Sequence, residues 1–528
     1  MTLPSPTLEN LTVQWAFSGD ANANSQVSVR YRAQGSATWI TGMPLRRTAA
    51  GSTSGFSWTT RHTGSIFGLQ PATTYEVELS LTDPEGGSEQ RVVTARTRAV
   101  PAPMAGAPVR AATPSTLASV MNAAQPGDII ELAAGPYSAI NWTRDGSEGK
   151  PIVIRSATRG AAVINGEFGL FNRQHVHLDG LTVNGRIRFN GTNHMVITRC
   201  TINATSALAG DGIVSYLRAE NAYIADNVLN GTTTWADSSL GVNGNNLGEG
   251  IAVTGPGHVI QNNRVVGFRD GVSFLEGSEA VDQHSIDVLN NDIDVAADDG
   301  VEADFCQHNC RIMRNRITNS FVGLSSQPGL GGPTYFVRNV LYNVAHVAFK
   351  LYRESYGDVL LHNTVIKSGD ALGVYAGVPV VALYSRNNLL IGGPGGTYGG
   401  YSNGSGRVID VSTLNVGSSD LNHDALGSTA ASFSGRIGSL SFSSLAQLRS
   451  ATSEKQAVQV GMDAFAGQIA FPSAPMTRYA PPDLRLASGG GAVDVGLVIP
   501  GINDGFAGSA PDAGAYELGA PMPVYGPR

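Results

Sequence analysis

Four carboxylates fall within seven residues at Asp298, Asp299, Glu302 and Asp304, and three upstream acids, Asp211, Glu249 and Asp270, each stand directly before a glycine. Such a grouping suits a hard cation such as Ca²⁺, which takes roughly six to eight oxygen ligands. It also suits a pair of acids, one protonated and one activating water or attacking directly. Downstream come Lys350, Arg353 and Glu354. Lys350 can act as a base only where its pKa falls toward working pH. Tyr352, one outward step beyond it, can stack on a sugar face or donate a proton. His308 and His362 can exchange protons, although the blander reading of a lone turn histidine is a solvated one. The same blandness covers Arg314 and Arg338, read as ordinary surface charges.

These side chains can cooperate only if the chain returns to the same wall repeatedly, and a repeat predicts that it does. Cys200, Asn227, Asn263, Asn291, Asn315, Asn339, Asn363 and Asn388 each precede an apolar pair, at gaps of 27, 36, 28, 24, 24, 24 and 25 residues. Periods of this size mark a solenoid. Asn tolerates the left-handed conformation at a tight turn, and its amide can bond the copy on the next coil. Cys200 then occupies a ladder position as a buried, inert thiol.

A second register runs through Asp211-Gly-Ile, Glu249-Gly-Ile, Asp270-Gly-Val, Asp299-Gly-Val, Val322-Gly-Leu and Val347-Ala-Phe. Strands stacked in register lie about 4.8 Å apart, so equivalent offsets are neighbours. Alternation sends Ile213, Ile251, Val272, Val301, Leu324 and Phe349 inward, and Val214, Ala252, Ser273, Glu302, Ser325 and Lys350 outward. Aligned like charges repel unless a cation or base screens them. Acids that merely shape Asp-Gly turns account for Asp211 and Glu249 but not for the quartet at 298–304.

The expected fold is therefore all-β: an N-terminal β-sandwich over 1–98, a proline-rich linker over 99–112, and a right-handed parallel β-helix over 113–528. A short helix from Thr116 caps the β-helix, and long loops over its C-terminal end begin near residue 392, with turn-forming acids in the last stretch. The 528 residues carry a net charge of −7 and only 15% charged side chains, so no broad basic field exists for nucleic acid. No apolar run of membrane-spanning length occurs, and Met1-Thr-Leu-Pro-Ser-Pro has no leader character, so an export signal is expected to be absent from this sequence. Three cysteines exclude a disulfide framework; Cys306 and Cys310 read first as two nearby free thiols, with a bridge across a turn as the alternative.

Leu69-Gln-Pro-Ala-Thr-Thr-Tyr75, with Trp15 and Tyr31, resembles the tyrosine corner and core aromatics of fibronectin type III modules. Asp298-Asp-Gly-Val-Glu302 resembles the Asp-Asp-Gly-x-Asp motif of family-nine pectate lyases, with Asp270 on the preceding coil and Ala348-Phe-Lys350-Leu matching their Gly-Phe-Lys-Leu. Two departures stand out: Glu302 replaces Asp, and the coil carrying Gln327 lies between the acids and Lys350. The resemblance implies a secreted polysaccharide-degrading enzyme of the parallel β-helix kind. It implies calcium held by Asp270, Asp298, Asp299 and Glu302, and β-elimination at a uronate with Lys350 as base. Asp299, Glu302 and Arg353 complete the expected catalytic set, with Tyr352, Asp304, Glu249 and His308 as substrate contacts. Expected partners are a polysaccharide but neither nucleic acid nor membrane, and the expected state is a secreted or periplasmic bacterial monomer. Two other readings stay open: a glycoside hydrolase pairing Asp299 with Glu302 or Asp304, and a non-catalytic carbohydrate-binding surface protein with a metal-stabilised acidic ridge.

Overall fold

A computed structural model describes all residues 1–528. The first 96 residues form six antiparallel strands around Leu11, Val13, Trp15, Val29, Tyr31, Ile66, Tyr75 and Val77, with a separate two-stranded hairpin of Gly51–Thr53 and Phe56–Trp58. Tyr75 Oη accepts the Gln70 N–H at 2.9 Å, five residues back. The linker is shorter than its composition predicts, because Val109–Ala112 already pairs with Ile129–Leu132 as the first strand of the β-helix. Between them the helix Leu117–Ala123 turns Leu117 onto the open end of the core.

From there the chain winds as a parallel β-helix with three walls, its handedness following the right-handed rule for parallel crossovers. One wall runs through Tyr223–Ala225, Val259–Gln261, Asp287–Leu289, Cys310–Met313, Leu330–Val337 and Tyr356–Leu361. The second holds Val228–Asn230, Arg264–Phe268 and the leading halves of Asp292–Glu302 and Arg316–Ser326. The third holds Glu249–Val253, Asp270–Phe274, the trailing halves of those two long strands, and Phe349–Leu351. The residues expected inward on the third wall are fully buried in the main core.

The asparagines form a ladder at the corner between the first two walls. In each rung the Asn Nδ2 donates to the next Asn Oδ1 and to a backbone carbonyl of the preceding coil, as Asn291 does to Asn315 Oδ1 (2.9 Å) and Ile260 O (3.0 Å). The left-handed residue is not the ladder asparagine but the one before it: Arg199, Asp226, Asn262, Asn290, Arg314, Arg338, His362 and Asn387 all have φ near +55°. The amide is thus conserved in position for its hydrogen bonds, while the preceding side chain projects outward and grips neighbouring segments. Arg338 donates to Ala515 O (3.2 Å), Arg314 pairs with Glu9 (3.8 Å), and His362 is buried against Gly514 and Asn503. These three are anchors, not free surface groups.

Regular coils also run past residue 392. Leu389–Gly392 pairs with Ala425–Ser428, and Asn388 passes the ladder to Asp424, whose Oδ1 accepts both its N–H and its Nδ2. The remaining chain folds back along the second wall, where Leu484, Leu486, Ala513 and Tyr516 cover Val340, Tyr342, Ile366 and Leu389. The N-terminal sandwich covers the first wall, packing Met43 and Phe67 on Leu289, Met313, Tyr335 and Val337. At that interface Arg311 is fully buried, ion-paired with Asp287 and donating to Thr12 and Ser65. No helix is long and apolar enough to cross a membrane.

Asn315→Ala would strip partners from the Asn291 amide and the Val288 carbonyl at once. Unsatisfied buried groups cost about 1–3 kcal/mol each, so a stability loss of at least about 3 kcal/mol is expected in chemical unfolding. A loss below about 1 kcal/mol would show that the ladder is not what holds the coils.

Candidate functional site

The third wall owes its regularity to a column of glycines. A Cβ on Gly212, Gly250, Gly271, Gly300 or Gly323 would lie 2.4 to 2.6 Å from a carbonyl oxygen of the next coil. Close coil approach, not turn geometry, therefore requires glycine after Asp211, Glu249, Asp270 and Asp299. The outward register is the expected one: Ala252 pairs with Ser273, Ser273 with Glu302, Glu302 with Ser325 and Ser325 with Lys350. Val214 and Ala252 are not exposed, because Tyr216 and Leu275 cover them.

A register irregularity between Ala296 and Asp299 places two residues opposite one of the next coil. Such bulges re-aim side chains, and here the Asp298-Asp299 doublet is the result. The Asp299 N–H donates to Asp270 Oδ1 at 2.6 Å, tying the two coils at their acids. One carboxylate oxygen from each of Asp270, Asp299 and Glu302 lies within 4.8 Å of the others. Asp298 stands outside this group and faces Arg269, 3.8 Å away; Arg269 also lies 3.5 Å from Asp270. Glu249 is opposite Asp270 and accepts from Ser273 Oγ at 2.7 Å. Asp211 pairs instead with Arg186 (2.9 Å).

Lys350 spans the intervening coil: its Nζ donates to Asp299 Oδ2 at 2.5 Å and lies 3.9 Å from Glu302. Asp304 is fully buried, its Oδ1 accepting from Ser325 Oγ (2.5 Å) and Gln327 N–H (2.8 Å). Arg353 is half-exposed and pairs with Glu276 at 2.9 Å, at the groove edge. Tyr352 is half-buried, close enough to Lys350 and Asp299 for both to act on its phenol. His308 belongs elsewhere: it stacks on His284 at 4.7 Å beneath the N-terminal sandwich, on the first wall. It is buried rather than solvated, because the sandwich covers the turn that carries it. Cys306 and Cys310 form a disulfide rather than two thiols, clasping the turn that follows Asp304. Cys200 is buried, with its thiol pushed up to about 12 by burial.

Arg269, Ser273 and Glu276 were not among the expected site residues. Arg269 directly precedes Asp270 and could have been found by extending the register one step back, and Ser273 was already placed outward by it; Glu276 lies in irregular chain beyond the strand. Together with Glu249, Asp270 and Glu302 they line a cavity of about 400 Å³.

Burial and mutual repulsion push the acids' pKa values up. Burial, opposed by Ser273 and Arg269, takes Glu249 to about 7. Burial and Asp299 take Asp298 to about 7, and burial opposed by Lys350 takes Asp304 to about 8. Asp270 and Glu302 rise well above the usual carboxylate range for the same reasons. Burial would lower Lys350, but Asp299, Asp304 and Glu302 outweigh it and hold the ammonium.

The sign of the resulting pH dependence follows. The unfolded chain releases these carboxyl protons near 3.8 to 4.5, whereas the folded chain keeps them to about 7 or 8. Between those limits the folded state binds more protons, so ion-free stability falls as pH rises. Lys350, raised above 10.5, loses its contribution only at higher pH. Thermal melts in chelating buffer should show Tm decreasing from about pH 5 to about pH 8; a Tm that climbs across that range would contradict the buried-acid account.

No family model matches the chain, and no curated protein matches it. Solved structures do overlap it. Pectate lyase Pel9A is 13% identical with a TM-score of 0.38, over 78% of this chain and 96% of that one. The family 28 exopolygalacturonase of Yersinia enterocolitica is 10% identical with a TM-score of 0.33, over 83% and 96%. A mutant of the PL6 family alginate lyase AlyGC is 15% identical with a TM-score of 0.39, over 72% and 60%.

Proposed function

We propose that the protein is a polysaccharide lyase that cleaves a uronate-containing polymer by β-elimination in the third-wall groove. The observation that carries this reading is the contact of Lys350 with Asp299, beside three carboxylates converging within 4.8 Å in an open groove. A hydrolase needs no lysine locked to its acids, and an inert ridge needs no converging, buried carboxylates.

The donor set fits calcium. Its ligands are hard oxygens, and Asp299 Oδ1 is buried without any hydrogen-bond partner, an oxygen placed to receive a ligand. Asp270, Asp299 and Glu302 would hold the ion, with Asp298 adjacent. When bound, calcium neutralises the uronate carboxylate and acidifies its C5 proton.

The chain's own groups supply the rest. Were Asp299 and Glu302 to hold the ion, two of the carboxylates that keep the Lys350 proton would be screened, leaving Asp304 and Asp298 against burial, which lowers the lysine's pKa. Its free amine takes the C5 proton, the electron pair closes the C4=C5 bond, the C4–O bond breaks, and the departing oxygen gains a proton from solvent. Arg353, at the groove edge, exchanges Glu276 for a substrate carboxylate, and Tyr352 offers a ring beside the sugar. A polymer substrate and the Cys306–Cys310 disulfide both suit an extracellular or periplasmic location.

Purified protein with calcium, offered pectic and alginate-type polymers, should generate the ultraviolet absorbance of the C4=C5 double bond. Lys350→Ala should lower that rate roughly 10²- to 10⁴-fold, as loss of a general base does, with calcium binding retained. Reducing ends released without the absorbance would assign hydrolysis instead, and full activity in Lys350→Ala would remove the lysine from the chemistry. No product from any acidic or neutral glycan would leave a binding protein.

A further inference from the structure

The acids beyond the first carboxylate group form a second one. One oxygen from each of Glu276, Glu302 and Asp304 also lies within 4.8 Å of the others, so Glu302 belongs to both groups. Asp304 supplies an independent sign of a ligand. It is fully buried, its Oδ1 is taken by Ser325 and Gln327, and its Oδ2 has no partner. Buried carboxylate oxygens are rarely left unpaired. Lys350 does not fill the gap, since its ammonium sits on Asp299. Arg353 reaches Glu276 through Oε2 only, leaving that carboxylate a second oxygen.

We propose that Glu276, Glu302 and Asp304 bind a second divalent cation, which shares Glu302 with the first. This rests on reading the Asp270, Asp299 and Glu302 group as a calcium site. The glutamate at 302 acquires a reason here. Its extra methylene carries the carboxylate outward from the strand, to a place where its two oxygens can serve ions on either side. A bridging carboxylate also explains why unpaired buried oxygens, Asp299 Oδ1 and Asp304 Oδ2, occur in both groups that contain Glu302. The second ion is the more exposed of the two, because Glu276 is the one exposed ligand among the five. It therefore faces the open groove, where a substrate carboxylate can complete its coordination and draw Arg353 off Glu276. The substrate class this favours is a polymer with closely spaced acidic sugars, one bound at each ion.

Equilibrium dialysis with calcium, and terbium-to-europium luminescence transfer on the full-length protein, test this without recourse to activity. Wild type should bind two ions and show transfer between neighbouring lanthanides. Glu276→Gln, a surface change that leaves the fold intact, should weaken one ion about tenfold or more and abolish transfer while the other ion stays. Asp304→Asn should do the same, and Asp270→Asn should weaken the opposite ion. One bound ion, lost in Asp270→Asn and unaffected by Glu276→Gln, would overturn the second site and leave the first standing. No bound ion at all would overturn both.

Discussion

How closely consecutive coils can approach at one corner governs everything on the third wall. Gly250, Gly271, Gly300 and Gly323 sit where any side chain would strike the carbonyl of the coil above. With that corner compressed, strands stack at the spacing of a parallel sheet, and acids from successive coils are forced into range of each other. The acids cannot relax apart, because the same stacking buries the apolar residue two places further along each strand. Repulsion is built into the wall by the backbone, and raised proton affinity or bound cations are the two ways of relieving it.

Two unrelated segments cover the other two walls along part of the stack. The N-terminal sandwich seals the first wall with Met43 and Phe67 and with the buried Arg311–Asp287 pair. The C-terminal segment seals the second with Leu484, Leu486 and Tyr516. The sandwich also reaches the groove: its hairpin, Gly51–Thr53 and Phe56–Trp58, packs Phe56 on Phe305 at 5.6 Å and lets Thr53 donate to the Arg353 carbonyl. The N-terminal module is thus part of the wall supporting Asp304 and Arg353.

The register was legible because it could be counted. Spacings of 23 and 25 residues aligned Glu302, Ser325 and Lys350, and a lysine is long enough to span one coil to Asp299. Where counting failed, geometry had no local signal. Asp424 lies 36 residues past Asn388 and is not an asparagine, so the ladder seemed to stop early. Outward Leu289, Met313 and Tyr335 look in sequence like core residues, so the docked sandwich was hidden. Glu276 sits in irregular chain, and His308 lies in a turn on a wall that only the full winding identifies.

The asparagine ladder has a direction. Every rung donates toward the C-terminal end, from Asn227 to Asn263 and onward to Asn388, so its amide dipoles add along the stack. Its last member must accept without donating further, and Asp424 is a carboxylate that does so twice. At the other end Cys200 enters through its backbone N–H, and its thiol turns back to Thr198 O, so no amide side chain continues the column there. The column is therefore a polarised wire with dissimilar terminals, and its length is written into the two residues that cannot pass the bond along.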